Sequence, residues 1–478
     1  MDKKNVSKDL YENRRILEQD FADCADILIK EIKHNQIHMI IAYIEVTFDI
    51  NLLETLAVEE LLANAQMAGS NDVFHSMEEA EQVLLTGDAI LFVDGMAKAI
   101  RIVDKGLPQM DVQKTDSEKV IRGTNEGFTD SIKSNTALIR RRIRSRLLKV
   151  REHKMGVRTN TLVDIMYIDD LVDRRLLKEI EQRLEKYEID GVLDSGVIEQ
   201  LSEEKWYSPF PEFQTTQRPD RAAMALLEGR IVILSDNSPI SLILPTDINL
   251  FIRTTDDYYN RFEAASFARI IRYVAMFLSL ALPGLYLAVT NFHTQILPTS
   301  LMLAFWENRQ GVPFPEVVEV ILMEMSFELL REAGTRLPGA MSNTIGIVGG
   351  LIIGQAAVDA GIVSPIVVII VAFTALCSFA IPSEEFAFSF RLLKFYIIFM
   401  SAWLGYFGFL VGLYTILIHL SKLKSFGYPY MMPFVGADAG NYEEEGDSIV
   451  RMPLRMIKKR PIIAQKDERI KLKKRRKN

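Results

Sequence analysis

Hydrophobic residues follow two different patterns along this chain. Up to about residue 250, short apolar runs alternate with polar and charged stretches, whereas from Ile270 to His419 most positions are apolar. The first pattern is typical of strands and amphipathic helices that fold in water, and the second is typical of helices that fold in lipid. We therefore predict a polytopic α-helical membrane domain preceded by a soluble α/β domain.

The charge-rich half contains an internal repeat. Two segments, which begin at Ile40 and Asp164, each predict an apolar strand followed by a helix: IIAYIEVTFDINLLETL and DIMYIDDLVDRRLLKEI. Two others, from Gly87 and Gly229, each predict two short strands around a tight turn, Asp94-Gly95 or Asp236-Asn237. The soluble domain is therefore predicted to contain two related subdomains. The predicted boundaries are residues 1–116 for the first subdomain, 117–156 for a helical linker and 157–250 for the second subdomain.

The predicted linker is rich in arginine. Its segment NTALIRRRIRSRLLKV has apolar residues at near-helical spacing, so one interpretation is a bridging helix. The other interpretation is that its arginines face lipid headgroups or an acidic partner surface. The arginines concerned are Arg140, Arg141, Arg142 and Arg144.

No pattern in the sequence indicates catalysis. The sequence contains no Gly-rich phosphate loop and no nucleophile elbow, and its six histidines are scattered. Asp169 and Asp170 follow an apolar strand, but without a third ligand at fixed spacing they are more typical of a solvated strand end. Cys24 and Cys377 are too few for a disulfide framework or a metal cluster. We expect no enzymatic activity, no metal and no cofactor.

The apolar half begins with a predicted spanning helix. Tyr273 to Thr290 carries no charge, and the N-terminus of the chain lacks the apolar core of a signal peptide. Because basic residues are retained on the cytoplasmic side, we expect the chain to enter the membrane from the cytoplasm. Four arginines would lie at the inner end of this helix: Arg253, Arg261, Arg269 and Arg272.

The membrane domain is predicted over residues 251–425, with four to six helices. Phe395 to Ile418 is predicted as the final spanning helix, and Asn291 to Trp306 as a re-entrant segment. Because both termini are predicted in the cytoplasm, the number of crossings must be even. We predict four crossings with additional half-helices, and six crossings is the alternative. Basic residues flank the final helix as candidate headgroup anchors: Arg391, Lys394, Lys422 and Lys424.

An amphipathic helix is predicted near residues 316–332. Glu324, Glu328 and Glu332 fall on one face of it. One interpretation is an interfacial or protein-packed helix. The other is an acidic vestibule that concentrates cations near a pore.

The longest apolar stretch contains a glycine ridge and a polar stripe. The glycines stand four residues apart and would let another helix approach closely: Gly346, Gly350 and Gly354. The stripe lies around the same helix: Val348, Ile352, Gln355 and Asp359. An amide and a carboxylate are costly against lipid, so this face should meet water or protein. It is either an interhelical hydrogen-bonded pair or a pore lining in which the two apolar residues form a constriction.

The end of the chain is basic although the net charge of the whole is −7. We predict a basic cytoplasmic tail over residues 426–478, attracted to anionic lipid headgroups rather than to nucleic acid.

Several long segments resemble the A subunits of GerA-type spore germinant receptors. They include NEGFTDSIKSNTALIRRRIR from Asn125, YSPFPEFQTTQRPDRAAMALLEGRIVILSDNSP from Tyr207, IGIVGGLIIGQAAVDAGIVSP from Ile345 and DSIVRMP from Asp447. The resemblance covers nearly the whole chain, and it is looser before residue 117 and after residue 460.

The resemblance implies a place and a role. A subunits of this family sit in the inner membrane of the bacterial endospore, with a transporter-like B subunit that binds the nutrient and a lipoprotein C subunit. They are expected to form a homo-oligomer, with a pentamer favoured, that releases monovalent cations to trigger germination. The striped helix would then line the ring.

Three other functions stay open from the sequence. One is a paralogous sporulation-stage membrane channel that amplifies germination. The others are a secondary transporter and a non-conducting scaffold, although the membrane half shows no internal repeat of the kind that transporters have.

Overall fold

The computed structural model describes residues 5–34, 37–45, 47, 72–102, 118, 120, 122–335, 350, 352–435 and 447–472. The described part of the first α/β unit contains a five-stranded antiparallel sheet in the order β1-β2-β4-β5-β3. Its elements are α1 (Leu10–Asp20), β1 (Ile27–His34), β2 (Ile37–Ile44), β3 (Val73–Phe74), α2 (Met77–Leu85), β4 (Ala89–Val93) and β5 (Ala99–Ile102).

The second α/β unit has the same strand order, β6-β7-β9-β10-β8. Its elements are α3 (Ile132–Arg142), β6 (Leu148–Met155), β7 (Thr161–Ile168), α4 (Arg174–Leu184), α5 (Ser195–Ser202), β8 (Gln214–Thr216), α6 (Pro219–Leu227), β9 (Ile231–Ser235) and β10 (Ser241–Leu244). The two hairpins predicted around Asp94-Gly95 and Asp236-Asn237 are confirmed as β4–β5 and β9–β10.

The repeat extends further toward the N-terminus of each unit than the sequence indicated. The Asn13 side chain accepts from the Ser7 backbone N–H at 2.8 Å and donates to the Ser7 carbonyl at 2.7 Å. Asn135 makes the same pair with Thr129, at 2.8 and 2.6 Å. Helix α1 and helix α3 are therefore equivalent elements of the two units.

The prediction of a helical linker over residues 117–156 is wrong, because α3 and β6 belong to the second unit. Ile132, Leu138 and Ile139 of α3 are buried in one core with the second sheet, and β6 is an edge strand of that sheet. The apolar face of α3 is covered by its own unit, so α3 is not a bridge between units. The second unit begins before α3 rather than at residue 157.

The arginines of α3 form ion pairs with acidic side chains of the same chain. Arg140 is 1% exposed and binds Asp26 of the first unit through two hydrogen bonds of 2.8 Å. Arg141 and Arg142 both lie 2.5 Å from Glu126 carboxylate oxygens. The interpretation that the arginines face headgroups or a partner is therefore wrong for Arg140, whereas the Arg141 side chain is 51% exposed and the interpretation stays a prediction for it.

Helices dominate the chain after residue 245. They are α7 (Ile248–Ile252), α8 (Asp256–Tyr259), α9 (Phe262–Phe292), α10 (Thr299–Asn308), α11 (Glu316–Thr335), a helical segment over residues 352–359, α12 (Pro365–Phe379) and α13 (Glu384–Lys422). Among the described helices, α9 and α13 are long and apolar enough to cross a membrane.

Helix α13 consists of two arms that turn at Gly405. This glycine has φ 62° and ψ −140°, a backbone conformation that residues with a side chain rarely adopt. The Tyr396 hydroxyl lies 3.0 Å from Thr415 Oγ1, which is possible only if the second arm runs back along the first. The prediction of one spanning helix from Phe395 to Ile418 is therefore wrong, because the turn falls in the middle of that range.

Six of the described helical segments run in alternating directions through the bundle, and each is called a pass below. They are α9, α11, residues 352–359, α12 and the two arms of α13. At one end of the bundle the Ser364 backbone N–H donates to Glu319 at 2.8 Å. At the other end Arg331 donates to Ser378 Oγ at 2.7 Å. The number of membrane crossings, four or six, stays a prediction.

The C-terminal segment packs on the second α/β unit. The hairpin of β11 (Lys424–Ser425) and β12 (Tyr428–Pro429) places the Phe426 ring 5.2 Å from that of Phe213. Further on, Ile463 and Ala464 are each 1% exposed, and the Gln465 backbone N–H donates to the Leu171 carbonyl at 2.9 Å. The described part of the segment is therefore not a free tail, because apolar side chains in it are covered by the sheet unit. Its basic side chains, such as Arg455 and Lys458, are exposed, so their attraction to lipid headgroups stays a prediction.

Candidate functional site

A buried charge cluster lies in the middle of the helical bundle. Lys394, on the first arm of α13, is 2.5 Å from a Glu324 carboxylate oxygen of α11. These residues are 4% and 1% exposed. One turn away, Glu328 lies 3.5 Å from Lys394 and 3.7 Å from Arg391. Acidic and basic side chains thus neutralise each other where neither could be solvated.

This geometry corrects two predictions. Glu324 and Glu328 do not form an open acidic vestibule, because they are paired inside the bundle; Glu332 is exposed on the same helix. Lys394 is a partner of that pair and is not a headgroup anchor. A lysine and a glutamate in apolar helices are the signal that could have indicated the pair, since each is costly in lipid without the other.

The glycine ridge packs within the chain. A Cβ added to Gly354 would lie 3.2 Å from Val368 of α12, and one added to Gly350 would lie 3.8 Å from Phe327 of α11. Gly346 lies outside the described residues. Gly354 therefore makes a close approach to a neighbouring helix of the same subunit, whereas Gly350 is in ordinary van der Waals contact with α11.

The polar stripe is exposed on the single chain, and its Gln355 lines a cavity of about 1230 Å³ together with Gly350, Gly354 and Val368. Ile352 is 58% exposed, and Gln355 and Asp359 are also exposed. The Gln355 side-chain amide donates to the Asp359 carboxylate at 3.0 Å. Val348 lies outside the described residues. The predicted interhelical pair is thus a pair along one helix, and the stripe is an uncovered face of the single chain.

A second charge cluster fixes the start of α9. Arg269 is fully buried, 3.2 Å from Asp257 and 2.7 Å from Asp447, and Arg272 is 2.7 Å from Asp257. Burial alone would raise the pKa of both aspartates, but the neighbouring arginines outweigh it and lower each pKa below its ordinary value. Arg253 also bonds the Asp447 carbonyl. Three of the four arginines predicted at the headgroups are therefore internal ion-pair partners.

The far end of the bundle is closed by a third set of contacts. Glu319 is fully buried and accepts the Ser364 backbone N–H, while Arg309 lies 2.5 Å from Glu316 and 3.5 Å from Glu319. Within the described ranges, no group of three His, Cys, Asp or Glu residues could hold a metal ion. The three clusters hold helices in register, and the stripe is one of the exposed polar surfaces of the described bundle.

The profile described as "Bacillus/Clostridium GerA spore germination protein" matches residues 15–463. The chain belongs to the GerA family. "Spore germination protein KA" of Bacillus subtilis (strain 168) is 38% identical, over 97% of this chain and 88% of that protein. "Uncharacterized membrane protein YfkQ" of the same strain is 38% identical, over 95% of this chain and 91% of that protein. The crystal structure of the N-terminal domain of the A subunit of the Bacillus megaterium spore germinant receptor GerK3 is 29% identical, with a TM-score of 0.40, over 51% of this chain and 98% of that one.

The family assignment confirms the resemblance stated from the motifs. The structure shows what one of those motifs contacts in this GerA-family chain. Asp447, the first residue of DSIVRMP, binds Arg269 and accepts a hydrogen bond from the Tyr258 hydroxyl at 2.6 Å. The motif thus ties the C-terminal segment to the first long helix. Sequence reasoning found the motif but not its partners, because they are 178 and 189 residues away along the chain.

Proposed function

We propose that this GerA-family chain is the A subunit of a germinant receptor in the inner spore membrane. Its six helical passes cross the bilayer, with both termini in the cytoplasm, and copies of the chain assemble into a ring that conducts monovalent cations. A pentamer is the ring size that the resemblance favours. The chain works without catalytic chemistry, beside a nutrient-binding B subunit and a lipoprotein C subunit.

The observation that carries this proposal is the exposed stripe of Ile352, Gln355 and Asp359. An ionised carboxylate costs about 2.5–3.5 kcal/mol at the centre of a bilayer on insertion scales. Asp359 ends the helical segment 352–359, toward the end of the bundle marked by Ser364 and Glu319, so its cost is smaller, and Gln355 and Ile352 lie deeper. Gly354 of the same helix packs on Val368 of α12, with 3.2 Å between Val368 and the position of an added Cβ, whereas Gln355 lines an open cavity. The stripe therefore needs water or another subunit, and a symmetric ring of stripes around an aqueous axis supplies both.

Each residue of the stripe has a separate role in such a ring. Asp359 contributes one negative charge per subunit, which favours cations over anions. Ile352 contributes an apolar ring that resists wetting and holds the pore shut until the receptor is triggered. Gln355 donates to the Asp359 carboxylate and keeps its charge oriented.

The test is ion flux through purified protein in vesicles loaded with a potassium-sensitive dye. Asp359→Asn removes one charge per subunit and no bulk, so cation flux should fall severalfold. Asp467→Asn, an exposed carboxylate in the C-terminal segment, is the matched control and should conduct like the parent. Equal flux from all three proteins would contradict the proposed pore. Flux coupled to a gradient of a second solute would indicate a transporter, and no flux from any of them would indicate a scaffold.

A further inference from the structure

An exposed aromatic pair stands where the second α/β unit meets the helical bundle. Trp206 and Tyr207 are 81% and 64% exposed. Their rings contact each other edge to face, with 6.1 Å between the centroids. Both side chains combine a large apolar ring with one polar group, the combination found where an apolar phase meets water.

The segment that carries the pair is fixed to the end of the second arm of α13. Lys205 Nζ donates to the Lys422 carbonyl at 3.2 Å, and Ser208 Oγ lies 2.9 Å from His419 Nε2. These contacts fall in the last turn of the helix. The aromatic pair, between Lys205 and Ser208 in the sequence, is therefore held at the level where that arm ends.

The same segment contacts the start of the first arm. Ser389 Oγ donates to the Pro209 carbonyl. The Phe210 ring lies 5.6 Å from the Phe390 ring and is itself buried. Residues 205–210 thus run across the ends of both arms, and the depth of Trp206 relative to the bundle is set by packing on two sides.

The charges around the pair suit an anionic lipid surface. Lys422 and Lys424 are exposed at the end of the second arm. The nearby Glu204 carboxylate lies 3.5 Å from Arg183, which also binds Glu179 at 2.5 Å, so the charge of Glu204 is offset only in part. Lysines at the end of a spanning helix reach the headgroups, and aromatic rings concentrate at the same level.

We propose that Trp206 and Tyr207 insert into the headgroup region of the cytoplasmic leaflet. The second α/β unit is then held against the lipid by its own surface as well as by its connection to the bundle. This inference rests on the proposed function, because it requires that α13 crosses the bilayer. The partner is the lipid interface, and neither a second protein nor a second copy of this chain is needed to cover the rings.

Single-tryptophan proteins test this inference, since the chain has three tryptophans. Full-length W306F/W403F protein, which keeps Trp206, is reconstituted in vesicles of phosphatidylcholine and phosphatidylglycerol. Part of the phosphatidylcholine carries bromine at either shallow or deep acyl positions. We expect the Trp206 emission to be lost in brominated vesicles, and more strongly with shallow than with deep bromine.

Two further proteins make the result interpretable. W206F/W306F keeps Trp403, which is 68% exposed on the first arm, and its emission should be quenched by brominated lipid if the bundle is in the bilayer. Tyr11→Trp in a background without the native tryptophans reports on the first α/β unit, where Tyr11 is 60% exposed on α1. It should be quenched by aqueous acrylamide and not by bromine.

The outcomes separate the two proposals. Quenching of Trp403 without quenching of Trp206 would overturn the lipid contact and leave the membrane bundle standing. Trp206 that is shielded from both acrylamide and bromine would also overturn it, in favour of a protein surface over the rings. Trp403 that brominated lipid does not quench would overturn the proposed function itself.

Discussion

Lys394 and Glu324 face each other inside the helical bundle, with 2.5 Å between Nζ and the carboxylate oxygen and almost no surface exposed on either side chain. Such a pair stabilises a fold only while both charges are present. It fixes the register of α11 against the first arm of α13. The fixed register also holds the helix that carries the stripe, because Gly350 packs on α11.

Lys394→Met should destabilise the protein strongly. It leaves the Glu324 carboxylate buried without a partner, which costs about 3–5 kcal/mol when one member of a buried pair is removed. The measurement is thermal unfolding of the detergent-solubilised full-length protein. Lys422→Met, at an exposed lysine, should unfold like the parent, and adding Glu324→Gln to Lys394→Met should recover part of the loss. Equal midpoints for the two lysine variants would show that the pair is not a structural element.

Ile352→Ala should make the proposed pore leak. Shortening an apolar side chain at a constriction lets it wet more readily, so ion flux without nutrient should rise. The readout is dye-detected potassium flux in vesicles, with Ile369→Ala as control. Ile369 is 66% exposed on α12, outside the stripe, and its variant should stay as tight as the parent. Resting flux that is equal in both variants would argue against an apolar gate at Ile352.

Gly284→Ala should disturb the contact between α9 and the first arm of α13. Its Cβ would lie 2.5 Å from Ile397 Cγ2 and 2.9 Å from Ser401 Oγ, so the helices must separate, at a cost of about 1–3 kcal/mol. Gly350→Ala is the control, because its Cβ would meet Phe327 at an ordinary 3.8 Å. The thermal midpoint should fall for Gly284→Ala and stay near the parent value for Gly350→Ala. A smaller loss at Gly284 than at Gly350 would contradict the packing described here.

Asp164 should make the stability of the α/β region depend on pH. Burial raises the pKa of Asp164 from 3.8 to about 7, although Thr136 donates a hydrogen bond to it at 2.9 Å. The folded state then holds a proton that the unfolded chain has released, so the free energy of unfolding falls as pH rises from about 4 to about 7.

Asp164→Asn removes this titration, so the variant should gain stability over the parent as pH rises through that window. The gain is on the order of 1.4 kcal/mol for each unit of pKa difference. Thermal unfolding at pH 5 and pH 8 measures it. Asp190→Asn, at a carboxylate whose side chain is 82% exposed, should show no such trend. A difference between Asp164→Asn and parent that is the same at both pH values would refute the prediction.

Local patterns predicted the parts of this fold that depend on few neighbouring residues. Gly95 and Asn237 turn their hairpins with φ of 80° and 63°, and the residue types alone indicated those turns. The alternation of apolar strands with amphipathic helices likewise predicted two related units. The equivalence of α1 and α3 was missed because the polar contacts of Asn13 and Asn135 that mark it leave little trace in a hydrophobicity pattern.

Contacts between residues far apart along the chain could not be predicted from local patterns. An arginine near an apolar helix is compatible with a headgroup contact and with a buried ion pair. Arg140 and Arg269 form buried pairs, because Asp26 and Asp447 lie opposite them in space. The same ambiguity applied to Lys394. The charge of a side chain follows from the residue type alone. Whether that side chain meets lipid headgroups or an internal partner depends on residues elsewhere in the chain.

The sequence by itself determined the division into a charge-rich and an apolar half, the repeated α/β units, the family and the polar stripe, because each depends on residue type and short-range spacing. The tertiary structure alone decided that α13 turns back at Gly405, that three charge clusters lock the bundle and that the C-terminal segment returns to the second unit. Those features depend on which surfaces meet after the chain has folded. A turn at one glycine in a long apolar run, and an ion pair between residues 70 positions apart, are fixed by packing and not by local propensity.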